Sequence, residues 1–234
     1  MKSRWFVTGD CHGDLSKIWR FIKRFDLGSE SRIIVCGDMG IYWDKSQKDA
    51  NYMIKQYEEN CNGVQLFWID GNHENFDIID TFEKPYHKCS PHITYISRGT
   101  NIFTKINDKI ANLLFLGGAD SIDKAWRTEG IGWWPQEQIR EEDIEGLAGK
   151  YTFVFTHCCP YSIFNSHRGF LCQHGGEFRD VNHTSEEMLD RLKDEITFKH
   201  WFFGHYHINM KLNDQFTCLL DDFIELGEGT YKNE

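Results

Sequence analysis

Trp5-Phe6-Val7-Thr8-Gly9-Asp10-Cys11-His12-Gly13-Asp14 opens the chain with strand-forming residues that break into a polar turn. β-Branched and aromatic residues favour a pleated, buried segment, and glycine lets the backbone leave it sharply. The same event recurs twice. Arg32-Ile33-Ile34-Val35-Cys36 runs into Gly37-Asp38-Met39-Gly40, and Val64-Gln65-Leu66-Phe67-Trp68-Ile69 leads to Gly71-Asn72-His73-Glu74. Between these runs, Leu15 to Phe25 and Ser46 to Tyr57 carry apolar residues at helical spacing. Strand followed by helix, repeated, predicts parallel pairing with crossover helices.

The second half is richer in strand. Ile93 to Ser97, Ile102 to Ile106 and Ile110 to Leu116 lie close together, as in a meander, and Tyr151 to Thr156 and His200 to Phe203 are two further buried runs. Pro135 to Ile144 and Ser185 to Ile196 are expected helices, the latter capped by Thr184-Ser185-Glu186-Glu187 with its acids in the first turn. Two sheets face to face with helices outside accommodate this α/β count. Here too the strands end in polar clusters, Thr156-His157-Cys158-Cys159-Pro160 and Gly204-His205-Tyr206-His207. Ligands in open α/β sheets gather at the carboxyl ends of strands, so the five clusters predict one shared rim.

Bulk properties narrow the partners. With 234 residues, 40% of them hydrophobic and 15% aromatic, and no repeat or low-complexity tract, one domain over residues 1–234 is the expectation. The net charge of -10 argues against a large nucleic-acid partner, which needs a basic face, but leaves small phosphoesters open. No apolar signal segment precedes Trp5 and no run reaches membrane-span length, so a cytoplasmic protein with no membrane partner is expected. The eight cysteines then default to free thiols, and their spacing matches no zinc ribbon.

Asp10, His12, Asp38, Asn72, His157, His205 and His207 supply oxygen and nitrogen donors suited to a divalent metal. Asp10 and His12, like His205 and His207, stand two apart, which in an extended segment places both side chains on one side. A single Gly-Asp turn or a lone histidine is ordinary. Five such clusters at successive strand ends are not.

The order Gly-Asp-x-His, Gly-Asp, Gly-Asn-His-Glu, His, Gly-His-x-His resembles the calcineurin-like metallophosphoesterase superfamily, with motifs spanning residues 9 to 207. The resemblance implies a four-layer αββα sandwich with two central mixed β-sheets. It implies that Asp10, His12, Asp38 and His207 hold one ion, and that Asp38, Asn72, His157 and His205 hold the second. It implies that His73 steadies the phosphate and protonates the departing oxygen, and that the ions are Mn²⁺ first, with Fe, Zn or Ni as alternatives. Two such ions about 3.5–4 Å apart would lower the pKa of a shared water towards neutrality, and its hydroxide would attack phosphorus in line without a covalent enzyme intermediate. Cys11 is not needed as a nucleophile.

Gly71-Asn72-His73-Glu74 resembles the phosphoprotein phosphatase branch, but that branch continues its second motif with Val-Asp-Arg-Gly. Here the stretch is Met39-Gly40-Ile41-Tyr42-Trp43-Asp44, without the phosphate-gripping arginine or the aspartate that partners the histidine. Protein phosphatase activity is therefore in doubt. Glu74, adjacent in sequence although it would point elsewhere in a turn, and Asp44 are the two candidate carboxylates for His73, and the sequence does not choose between them. The segment Leu116 to Arg127, with Gly132-Trp133-Trp134-Pro135 beyond it, resembles bacterial and phage members. Arg127 is the candidate replacement for the missing phosphate contact, since guanidinium matches phosphate bidentately; the alternative is a solvated or salt-bridged arginine. Trp133 and Trp134 are expected to pack on the following helix rather than stack on a base. The expected substrate is a small phosphorylated molecule or a phosphopeptide. The competing expectations are a nucleotide phosphodiesterase or nuclease on the same scaffold, and a catalytically inactive protein-binding scaffold.

Overall fold

The computed structural model describes residues 3–43, 46–172, 182–227 and 229–231. Three strands of expected type, β1 (Arg4–Thr8), β2 (Ser31–Val35) and β3 (Gln65–Trp68), lie parallel and side by side. β5 (Ile93–Ile96) continues the parallel run beside β3, with β4 (Tyr86–Lys88) antiparallel at the edge. On the other side β14 (Phe223–Glu225) and β15 (Gly229–Tyr231) close a seven-stranded sheet in the order β15-β14-β1-β2-β3-β5-β4. The second sheet has six strands, β12 (Met210–Lys211), β13 (Phe216–Cys218), β11 (His200–Phe203), β9 (Phe153–Thr156), β7 (Lys109–Leu116) and β6 (Thr100–Ile106), in that order. Its four central strands are parallel and its edges antiparallel.

Both faces of each sheet are buried, so the central strands read as continuous apolar runs rather than alternating ones. On β1, Phe6 packs outward against α1 (Ser16–Arg24), while Trp5 and Val7 point between the sheets. Leu114 and Leu116 of β7 likewise face α5 (Tyr161–Leu171) and α6 (Thr184–Glu195), and Leu113 and Phe115 join the inter-sheet core. There Phe155 stacks on Phe115 at 5.1 Å and on Phe202 at 5.8 Å between ring centroids. Each such pair adds about 0.5–1.5 kcal/mol beyond its buried area. With α2 (Lys48–Asn60) and α3 (Phe76–Ile79) on the first sheet, the layers run helix, sheet, sheet, helix. Among the described residues no helix is long and apolar enough to cross a membrane.

Four expectations need correction. Ile93 to Ser97 does not join a meander: β5 is buried at all four positions and pairs with β3, while β6 and β7 form their hairpin in the other sheet. Pro135 to Ile144 is not one helix but a 3₁₀ turn at Pro135–Glu137, an extended link, and α4 (Glu141–Ile144). The cause is Arg98, whose guanidinium donates to the carbonyls of Gln136, Glu137 and Gln138 that a continuous helix would have used internally. The α6 helix is not capped by Thr184 or Ser185. The Asp120 carboxylate accepts from the Ser185 amide at 2.8 Å instead, while Ser185 Oγ accepts from Ile139 N. Finally, α5 and the short strands after residue 209 were not foreseen. Only Phe164 and Leu171 of α5 are buried, and two- or three-residue strands carry no periodicity.

Candidate metal centre

The carboxyl ends of β1, β2, β3, β9 and β11 bring all seven candidate ligands to one rim. They do not arrive there as extended segments. His12, Asp38, His205 and His207 have φ of 48°, 46°, 69° and 53°, the left-handed region that costs non-glycine residues energy. Strain of this kind persists only where surrounding contacts hold it. Asp10 and His12 still meet, 3.6 Å apart, but the twist overturns the expectation that His205 and His207 point to one side. His205 turns towards His157, ring centroids 4.9 Å apart, whereas His207 turns towards His12, also at 4.9 Å. Close backbone approach explains two of the motif glycines. A Cβ on Gly71 would lie 2.1 Å from Asp38 Oδ1, and one on Gly204 would lie 2.1 Å from Asp10 Oδ1.

Two groups of donors result. In the first, Asp10 Oδ2 lies 3.6 Å from His12 Nε2 and 3.3 Å from His207 Nε2, and the two imidazole nitrogens are 2.9 Å apart. In the second, His157 Nε2 lies 3.2 Å from both Asp38 Oδ2 and Asn72 Oδ1. Asp38 stands between the groups, its Oδ2 3.9 Å from His12 Nδ1. These atoms are electron-pair donors facing one another, which repel unless a proton or a cation lies between them. Burial alone would raise the Asp10 and Asp38 carboxyls, yet the neighbouring His157 charge holds both well below the usual range, so both stay ionised. Burial opposes protonation of His157, but Asp38 and Asp10 lift its pKa to about 10, making it their counter-ion. His205, desolvated and facing that charge, falls to about 3 and is neutral, the form that binds metal. A buried pair of carboxylates ringed by imidazoles and an amide oxygen, with no thiolate, fits hard or borderline divalent cations.

The sequence model of the calcineurin-like phosphoesterases matches residues 4–209. The chain belongs to that family. No curated protein matches it. A solved crystal structure superposes on it with a TM-score of 0.51 at 11% identity, covering 100% of this chain and 99% of the other, a likeness of fold alone. Membership makes the protein a metal-dependent phosphoesterase, and the remaining neighbours of the rim can be weighed in that light.

Several supports of the phosphoesterase site carry no motif. Cys36 O accepts from His157 Nδ1 at 2.8 Å, fixing the ring orientation that aims Nε2 at Asp38 and Asn72. Lys17, 5% exposed, donates from Nζ to the carbonyls of Gly9, Asp10 and Leu220, tying the end of β1 to the chain beyond β13. Asn72 Nδ2 donates to Ser121 Oγ at 3.3 Å, and Ser121 donates from its hydroxyl and its amide to the two oxygens of Glu137, at 2.8 and 2.7 Å. This relay turns the Asn72 carbonyl oxygen towards His157. Asp70, between β3 and Asn72, is locked by Arg98 at 2.6 Å and by the Tyr95 hydroxyl at 2.7 Å. Apolar runs and glycines signal strand ends, but buried hydrogen-bond partners such as Ser121, 49 residues from Asn72, and Cys36, 121 residues from His157, leave no pattern.

His73 sits beside the two groups, its ring centroid 4.9 Å from that of His12, and its amide donates to Asp38 Oδ1 at 2.8 Å. Desolvation lowers its pKa; Asp38 opposes this and Arg127 adds to it. Of the two expected carboxylates, Glu74 does not hold it. Glu74 is buried, carries a raised pKa from desolvation, and accepts from the Gly40 amide; Asp44 lies outside the described residues. The carboxylate that favours the charged imidazole is Asp38 itself. Arg127 reaches the site, with its guanidinium 3.2 Å from His73 Nε2. It is also salt-bridged to Asp123 at 2.7 Å and donates to Gly132 O, as the salt-bridged alternative expected. Trp134 is buried and donates to Asp77 within α3, rather than packing on the helix that follows it. Trp133 lies under the Lys124 ammonium at 5.6 Å. All eight cysteines are free, and burial pushes the Cys11 thiol up to about 11, the opposite of an activated nucleophile.

Proposed function

We propose that this phosphoesterase hydrolyses phosphomonoesters of small molecules or peptides, with some diester activity, by direct transfer to water and no covalent enzyme intermediate. The observation that carries this is the convergence of Asp10, His12, Asp38, Asn72, His157, His205 and His207 at one rim around two buried, ionised carboxylates. Two divalent ions bound there, Mn²⁺ foremost, would supply a water-derived nucleophile at neutral pH and offset charge on the phosphoryl group. Asp10, His12 and His207 would hold one ion, Asn72, His157 and His205 the other, and Asp38 both. No side-chain nucleophile is required.

Arg127 and His73 then divide the remaining work. A guanidinium has no acceptor, so in the present contact His73 Nε2 is the acceptor and the ring is neutral. A phosphate dianion entering beside the pair would draw Arg127 onto its oxygens. Freed of that contact and facing new negative charge, His73 Nε2 can take up a proton and pass it to the departing oxygen. The chain would work as one cytoplasmic domain on soluble substrates.

The nuclease alternative is disfavoured by the net charge of -10, and the inactive scaffold by the completeness of the donor set. Hydrolysis of para-nitrophenyl phosphate and its bis ester with Mn²⁺ tests the proposal. The monoester should have the higher kcat/KM. A large preference for the diester would favour the phosphodiesterase reading, and no turnover of either would end the hydrolase.

A further inference from the structure

Beside the metal rim a slot of about 500 Å³ opens between the loop after β2 and the start of α2. His12 and His73 line it where it meets the metal rim. Ile41 and Trp43, after β2, and Tyr52 and Met53, on α2, line it together with the backbone of Gly13 and Gly40. That backbone is bare because no side chain fits: a Cβ on Gly40 would lie 2.6 Å from Gly13 N. Among the described residues that line the slot, Asp49 is the one formally charged side chain, so the cavity is largely apolar although it adjoins a polar centre.

Two of its aromatics are not consumed by the core. Tyr52 is 64% exposed, on a helix whose buried residues are Ala50 and Tyr57. Trp43 is 36% exposed, yet its ring is held in place by Trp134 at 5.9 Å and lies 5.5 Å from the His73 ring. A large apolar side chain kept at the surface and braced from behind marks a binding wall more readily than a core. Its position decides what part of a substrate it meets. The phosphoryl group belongs at the metal rim, and His73, the proton donor to the departing oxygen, stands at the mouth of the slot. The slot therefore lies on the leaving-group side.

Resting on the phosphoesterase function argued above, we propose that this slot binds the alcohol portion of the substrate and selects a planar aromatic group there, stacked against Trp43 and Tyr52. Two sources share that chemistry, an aryl alcohol esterified directly to phosphate and a base carried on a nucleoside monophosphate. Matched pairs separate them: 2-naphthyl phosphate against phenyl phosphate, and adenosine 5′-monophosphate against ribose 5-phosphate, each assayed with Mn²⁺. In one pair the member with the additional planar ring system should have the higher kcat/KM by about 5- to 10-fold, the worth of one ring contact, and that pair names the source. Tyr52→Ala and Met53→Ala should collapse this ratio towards one. Phe103→Ala, at an exposed position of β6, should leave it intact.

Calorimetric binding of naphthylmethylphosphonate against benzylphosphonate reads the slot without turnover. Tighter binding of the larger ring, lost in Tyr52→Ala, with no ester hydrolysed would sink the hydrolase and support the slot. Turnover of all four esters, with no ring preference in either pair and equal phosphonate affinities, would overturn the slot and leave the hydrolase standing.

Discussion

Replacing Glu137 with glutamine should change how stability depends on pH, and the size of the change follows from its surroundings. The carboxyl is 1% exposed, and burial, partly opposed by the Ser121 hydrogen bonds, pushes its pKa from 4.5 up to about 7. A carboxyl whose folded pKa exceeds its unfolded value keeps its proton in the native state while the unfolded chain loses it. Between pH 4.5 and 7 the unfolded state therefore binds fewer protons, and stability falls as pH rises. At about 1.4 kcal/mol per pH unit, the whole interval amounts to about 3 kcal/mol. Glu137→Gln is neutral throughout and lacks this slope. Urea unfolding of both proteins, stripped of metal by chelation, at pH 4.5, 5.5, 6.5 and 7.5 gives the comparison. The difference in free energy between variant and wild type should shift in favour of the variant by about 3 kcal/mol from the lowest pH to the highest. Parallel curves would refute the buried, protonated carboxyl.

Three further outcomes are expected. His73→Ala should retain metal and lower turnover of an ester with a poor leaving group by about 10²–10⁴-fold; unchanged kcat on such an ester would remove His73 from the reaction. Arg127→Ala should raise KM or depress kcat for a phosphomonoester, by about tenfold for the loss of one charge-assisted contact. If neither parameter moves, the arginine serves only Asp123 and the loop. Asp70→Ala leaves the Arg98 guanidinium buried without its main partner, and should cost about 3–5 kcal/mol in denaturant unfolding; a loss below 1 kcal/mol would contradict the role given to this pair.

The sequence carried the layers and the rim but not the braces. Phe6, Ile33 and Leu66 announce their strands because sheets buried on both faces need unbroken apolar runs. Asp10, Asp38, Asn72 and His157 follow such runs directly, so their convergence was legible from where each strand stops. What was not legible depends on contacts between distant loops. No propensity foretells that Arg98 takes three carbonyls from residues 136–138 and splits a helix, or that Asp120 caps α6. Nor does alternation anticipate the left-handed backbone at His205 and His207, which separates a pair that extended geometry would have kept together. The slot beside His73 escaped for the same reason: Trp43 and Tyr52 are nine positions apart, one in a loop and one on α2, and only the packing of α2 brings both to one cavity.

The central claim is that seven side chains form one centre for two divalent ions. Elemental analysis of the purified protein after loading with Mn²⁺ and removal of excess measures this directly, alongside Asp38→Ala, which lacks the residue shared by both groups. Two equivalents of metal per wild-type chain, and fewer than one in the variant, are expected. Wild-type protein that retains no metal, or a variant that still binds two equivalents, would contradict the account.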